Sequence, residues 1–261
     1  RLSALGGSIN ALLFSTISMA DTNMPKVLHV TLSLWAGGAE NHLCSLAEQQ
    51  RQAGWDVTIA FLLKGRDFWR DRLSRHNIPI HDLGMRWRRK RDIEPAYVAP
   101  HCIIRLRRLI LSEKPDIIHA HLPPAELYTR LALLNLPRER FPLIITKHND
   151  KPFWPLPLQA TVARWTARRA QRIIAISWAV SGYFTAAPFA LPRDRVVTIP
   201  YGFDATIMDQ VAPEAVNVLR KELPGDGSRL LIGTVARLVP QKALHVLLHA
   251  FAQFKQDHGN A

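Results

Sequence analysis

The chain reads as α/β, a doubly wound and mainly parallel sheet. Apolar runs rich in β-branched residues alternate with segments whose apolar residues recur at helical spacing, from Val27 to Ile199. The opening unit, residues 27–55, is a strand, a glycine turn and a helix. Polar residues close several of the strands, and in such sheets the carboxyl ends of the strands line the ligand crevice.

The elements follow in order. Val27, Val30 and Thr31 mark a buried strand that breaks at Trp35-Ala36-Gly37-Gly38. Leu43, Leu46, Ala47 and Ala53 then recur at helical spacing, and Gly54 is the expected stop. Adjacent glycines let backbone approach a ligand, and the free N–H groups of a first helical turn favour an anion. Strands are expected over 57–63, 78–83, 117–121, 143–146, 173–177 and 196–199. Helices are expected over 67–76, 96–111, 124–134, 157–170 and from 179 to about Thr185. The loops closing these strands bring Gly37-Gly38, His119, His121, His148, Ser177 and Asp204 to one edge.

Residues 205–229 change character, with Pro213, Pro224, Gly225 and Gly227 around a helical patch at 214–222. They read as a linker between a first domain, 25–204, and a new unit over 230–261. That unit comprises a strand at 230–236, a turn at 237–242 and a helix at 243–255. Residues 1–24 begin with Arg1 and run through a diluted apolar stretch that imitates a secretory leader. Met24 directly precedes the first strand, so this stretch reads as an upstream extension or unprocessed leader, outside the folded domain.

Composition narrows the function. The 48% of apolar residues can build a real core, and Lys+Arg 34 against Asp+Glu 21 gives +13, which favours a polyanionic partner. Cys44 and Cys102 stand in no metal or redox spacing and suit a reducing compartment, hence a cytoplasmic reading. No G-x-x-x-x-G-K-[ST], H-E-x-x-H or G-x-S-x-G occurs. The glycine turn is not G-x-G-x-x-G, and the second strand ends Leu62-Leu63-Lys64 without a ribose-binding acid, which argues against a dinucleotide oxidoreductase.

Four segments carry a resemblance: Ala36-Gly37-Gly38-Ala39-Glu40; Thr146-Lys147-His148; Pro200-Tyr201-Gly202-Phe203-Asp204; and Gly233 through Lys242, GTVARLVPQK. In this order and spacing they resemble the nucleotide-sugar glycosyltransferases of retaining family 4. Two positions depart from the family pattern: Tyr201 stands where Asn is usual, and Ala243 where Gly follows the lysine. The resemblance implies a GT-B fold of two Rossmann-like domains, the second incomplete here because the paired-glutamate motif would lie beyond Lys242. It implies a hydroxyl acceptor, a glycan or lipid-linked glycan, and a nucleotide sugar as substrate, with no cofactor. The 261-residue chain by itself is expected not to turn over, since one strand and one helix cannot bury a sheet face.

By the same resemblance, Gly37 and Gly38 approach the donor, Arg237 and Lys242 hold its diphosphate, and His148 lies near the transferring sugar. Cations there would stabilise charge that grows as the glycosidic bond breaks. Glu40 reads as a first-turn carboxylate favoured by the helix dipole rather than a catalytic acid. His119 and His121 have metal-like spacing without an identifiable third ligand, and acceptor contact or structural hydrogen bonding is the preferred reading over metal. The basic run Arg86-Trp87-Arg88-Arg89-Lys90-Arg91 suits a solvated face or an anionic membrane surface; no recognition motif accompanies it for nucleic acid. Competing readings are a non-catalytic nucleotide- or sugar-binding module, a nucleotide-sugar epimerase of the same fold, and a polyanion-binding protein.

Overall fold

A computed structural model describes residues 24–65, 67–86, 99–150, 153–202, 210–222 and 232–258. The leader-like segment 1–23, the basic run after Arg86, Asp204 and most of the linker lie outside the described residues. The chain divides between Tyr201 and Gly202 into two compact units.

The first unit holds seven strands: β1 Lys26–Thr31, β2 Asp56–Leu63, β3 Ile80–Met85, β4 Ile117–His121, β5 Leu143–Lys147, β6 Arg172–Ala175 and β7 Val196–Thr198. They form one sheet in the order β3-β2-β1-β4-β5-β6-β7, every pairing parallel. Among the described residues six helices connect them: α1 Gly38–Gln52, α2 Arg70–Arg75, α3 Pro100–Glu113, α4 Pro123–Ala132, α5 Leu156–Arg169 and α6 Trp178–Thr185. Strand order reverses between β1 and β4, and that switch point is where such sheets open a crevice.

Alternation along the strands sorts the core into two layers. Leu28 and Val30 of β1, Ile118 and Ala120 of β4, and Leu143 and Ile145 of β5 join the larger cluster with side chains of α3 to α6. Val27, Ile59 and Phe61 point the other way, to Leu43, Cys44 and Ala47 of α1 and Leu73 of α2. Full burial of each large apolar side chain contributes about 1.5–3 kcal/mol. The second layer is not apolar throughout: where it crosses β1 and β4 it carries His29, His119 and His121, all buried.

Local chemistry sets the element ends. Pro100 opens α3, four residues after the expected start, because proline's fixed φ suits the first helical position. Ser177 caps α6, its hydroxyl accepting from the Val180 N–H at 3.2 Å, so this strand-end residue has a structural role. Gly54, the expected stop of α1, adopts φ +90, a region that favours glycine. β3 begins at Ile80 rather than Ile78, since Pro79 has no N–H to give the ladder.

The second unit contains α7 Pro213–Glu222, a 3₁₀ turn Pro240–Lys242 and α8 Leu244–His258. The strand expected over 230–236 is not found: described residues 232–236 make no ladder. An apolar, β-branched run becomes a strand only when a neighbour supplies the other half of the hydrogen bonds, and among the described residues no strand pairs with it. Among the described residues no helix is long and apolar enough to cross a membrane.

Candidate functional site: the carboxyl edge at the sheet's switch point

The loop from β1 to α1 is the first wall of the site. Gly37 is extended (φ −137, ψ 159) at the N-cap of α1, and its carbonyl accepts from the Asn41 N–H at 2.9 Å. The Glu40 carboxylate folds back over this first turn, where the helix dipole favours it, and accepts from Ser33 Oγ at 3.2 Å. A Cβ on Gly37 would run into that carboxylate, whereas a Cβ on Gly38 would meet nothing within 4 Å. Neither glycine has positive φ, so the turn itself does not require Gly38. Gly38→Ala is therefore expected to leave stability equal or raise it by roughly 0.5–1 kcal/mol through helix propensity. If the open space is where a diphosphate approaches, the same change weakens nucleoside diphosphate affinity at least about tenfold, a contact worth about 1.4 kcal/mol. Urea midpoints and calorimetric titration separate the two effects, and a loss of stability would assign the glycine to the turn.

Across the switch point the register sets His29 of β1 beside His119 of β4, and His121 follows two residues later on the same face. The imidazoles connect in series. Gln50 Oε1 of α1 lies 2.8 Å from His29 Nε2, His29 Nδ1 lies 3.0 Å from His121 Nε2, and His121 Nδ1 lies 3.1 Å from His148 Nε2. His148 follows directly on β5, and its Nδ1 is hydrogen-bonded to the hydroxyl of Tyr201. Tyr201 follows β7 and stacks on His42 of α1, ring centroids 3.9 Å apart at 17°. His119 stands beside this series, with Nε2 2.7 Å from Thr146 Oγ1 of β5.

Burial keeps these rings neutral. It pushes His29 down to about 4, and His148 down to about 3 with further help from the His42 and Lys147 charges. His119 and His121 are held well below the ordinary imidazole value by the same desolvation and by the neighbouring histidines. Burial also raises the Tyr201 phenol, which keeps its proton. Beneath His148, the buried Lys147 ammonium pairs with the buried Glu126 carboxylate of α4 at 2.5 Å. Cys44 and Cys102 are buried free thiols pushed up by burial to about 12 and about 11, as core residues are.

Of the sequence-derived candidates, the structure gathers the Gly37-Gly38 loop, His119, His121 and His148. Arg237 and Lys242 belong to the second unit, where both are exposed, Lys242 ending the 3₁₀ turn. The third imidazole that the spacing of His119 and His121 lacked is His29, and ligand-capable nitrogens of the three lie within 4.8 Å of one another. Two of those nitrogens already share one proton, which a metal would have to replace. Gln50, His42 and Tyr201 were not legible as site residues. Tyr201 had been visible only as a departure from the family pattern, and it lies against His148.

The geometry is an anion-favouring helix start beside neutral hydrogen-bonding rings. A family model described as Glycosyltransferase Family 4 matches residues 36–206, which contain this edge apart from His29 and Ser33. Among solved structures, the chain is similar to Anabaena Alr3699/HepE in complex with UDP and glucose. The TM-score is 0.69 at 22% identity, over 88% of this chain and 58% of that one. It is also similar to a glycosyltransferase from Rickettsia africae ESF-5, with TM-score 0.57 at 16% identity, over 78% of this chain and 51% of that one. The chain thus spans just over half the length of these two proteins. Among curated protein sequences, nothing matches it significantly. The fold is the Rossmann-like α/β arrangement of GT-B proteins, and the chain belongs to glycosyltransferase family 4.

Proposed function

We propose that this protein transfers a sugar from a nucleotide-sugar donor to a hydroxyl acceptor, with retention, at the carboxyl edge of the β1/β4 switch point. The observation that carries the reading is the convergence there, inside the matched family span, of a helix N-terminus with open space at Gly38 and the neutral His148. The complex of the Anabaena protein with UDP and glucose supports a nucleotide-sugar ligand.

In this reading the Gly37-Gly38 loop takes the donor's phosphate side and His148 hydrogen-bonds a hydroxyl of the transferring sugar, which takes the place of the Tyr201 hydroxyl at Nδ1. His148 is neutral at physiological pH, so it supplies no positive charge to the leaving diphosphate. That charge balance falls to Arg237 and Lys242, whose cations gain most as the bond breaks. Neither a metal nor a cofactor is needed for these roles. The acceptor is a glycan or lipid-linked glycan, and the location is cytoplasmic. The basic run from Arg86 and the exposed Arg105 and Arg108 of α3 would touch the anionic face of a membrane. Arg237→Ala and Lys242→Ala are each expected to cost about 1.5–3 kcal/mol of nucleoside diphosphate affinity, the worth of a charge-assisted contact. Calorimetry on both variants, in protein extended by a complete second domain, tests the assignment, and unchanged affinity in both removes these two residues from the donor site.

A further inference from the structure

The series from Gln50 to Tyr201 has four hydrogen bonds and one proton for each. A glutamine carbonyl has no proton to give, so the bond of 2.8 Å to Gln50 Oε1 makes His29 Nε2 the donor. A neutral imidazole carries a single N–H, which leaves His29 Nδ1 bare. His121 must then donate from Nε2 across 3.0 Å, leaving its own Nδ1 bare. His148 in turn donates from Nε2 across 3.1 Å, and its Nδ1 accepts from the Tyr201 hydroxyl. Every donor finds an acceptor, and all four protons point from Tyr201 toward Gln50. Were Gln50 to present its amide nitrogen instead, each ring would carry its proton on the other nitrogen. His148 would then donate from Nδ1 to the Tyr201 oxygen.

We propose that Gln50, His29 and His121 are positioning residues for His148, a buried chain that fixes its Nε2–H tautomer and makes its Nδ1 an acceptor. That acceptor is filled here by the Tyr201 hydroxyl and is taken over by a ligand hydroxyl that displaces it. A lone pair accepts a hydroxyl and repels a phosphate oxygen. Resting on the transferase reading, this assigns the His148 position to a sugar hydroxyl of the ligand rather than to its diphosphate. The neutrality this requires is consistent with the charged and titratable groups around the chain. These are His42 and Glu40 from α1, His119 from β4, and Lys147 from β5 with its partner Glu126 from α4. Neither His42 nor Lys147 favours an added proton on His148. Gln50 acts from the other end of the chain, two imidazoles away from His148, and touches no ligand in this reading.

The test is long-range ¹H–¹⁵N correlation of the histidine rings in the 261-residue chain near pH 7, for wild type, Gln50→Leu, Gln50→Lys and Gln49→Leu. Gln49 is the exposed neighbour on α1 and serves as the control. Wild type is expected to show His29, His121 and His148 each protonated at Nε2 and bare at Nδ1. Gln50→Leu removes the anchor and should spread His148 over both tautomers. Gln50→Lys, a donor without acceptor capacity, should invert His148 to Nδ1–H. Gln49→Leu should match wild type. His148 protonated at Nδ1 in wild type overturns the proposal, as does a His148 pattern in folded Gln50→Leu identical to wild type. The wild-type spectrum decides even if a variant fails to fold. Transfer assays on protein extended by a complete second domain address the transferase reading separately, because the tautomer is read without turnover.

Discussion

Lys147→Met is expected to destabilise the first unit by about 3–5 kcal/mol, because it strands a buried charge. Glu126 is 1% exposed and Lys147 4%, and their contact of 2.5 Å joins the first turn of α4 to the end of β5. The second Glu126 oxygen, Oε1, has no hydrogen-bond partner among the described residues, so none of them would compensate the loss. The ammonium also lies 4.8 Å from the centre of the Phe184 ring of α6, so a third element loosens with it. Paired replacement behaves differently. Lys147→Met with Glu126→Leu should recover most of the stability, since apolar side chains of similar volume often match or exceed a buried ion pair. A double-mutant cycle by urea denaturation measures the coupling; two additive single changes would show that the charges do not depend on each other.

Acidification from pH 7 to pH 5 is expected to remove roughly 4 kcal/mol of stability through His29 and His148 alone. Their folded values, about 4 and about 3, lie below the ordinary 6.5. As the pH falls through 6.5 the unfolded chain takes up these protons, and the folded chain does not. The unfolded state then binds more protons, and stability drops by about 1.4 kcal/mol per pH unit for each ring. The stabilisation is fully present above 6.5 and is lost progressively down to the folded values. His119 and His121 act in the same direction. Urea midpoints at pH 7.5 and pH 5 check this, and equal stability at the two would mean that the rings titrate in the folded protein. His29→Gln should flatten the slope, since it removes one titrating group and retains a polar one.

Most of the fold was legible because period and punctuation agree along the chain. Gly54 stops α1, and β4 falls at 117–121 as its apolar run predicts. The misses have local causes: Pro79 delays β3, Pro100 fixes the start of α3, and 232–236 lacks a partner strand. The site was only half legible. A glycine loop and a histidine after a strand are local signals, and both lie where expected. Each of the other members depends on a register or a crossing. His29 looks like one polar residue in an apolar strand until its pairing with His119 sets it beside His121. Gln50 sits in an ordinary polar stretch of α1, and only the packing of that helix over β1 directs its amide to His29. Lys147 was visible within the Thr146-Lys147-His148 signature, but its role waits on Glu126, 21 residues earlier.

The central claim, that this edge performs sugar transfer through His148, is tested most directly by measuring transfer and stability together. Wild-type and His148→Ala protein, each extended by a complete second domain, would be assayed with a panel of nucleotide-sugar donors and with glycan and lipid-linked acceptors, and urea midpoints taken on the same samples. The account predicts transfer by the wild type and a loss of about 10²-fold or more in the variant, the scale of removing a preorganised hydrogen bond at the reacting centre. Stability should change by no more than about 1–3 kcal/mol, the net worth of the two hydrogen bonds His148 makes. Transfer by His148→Ala at the wild-type rate, or no transfer by the wild type from any donor, would contradict it.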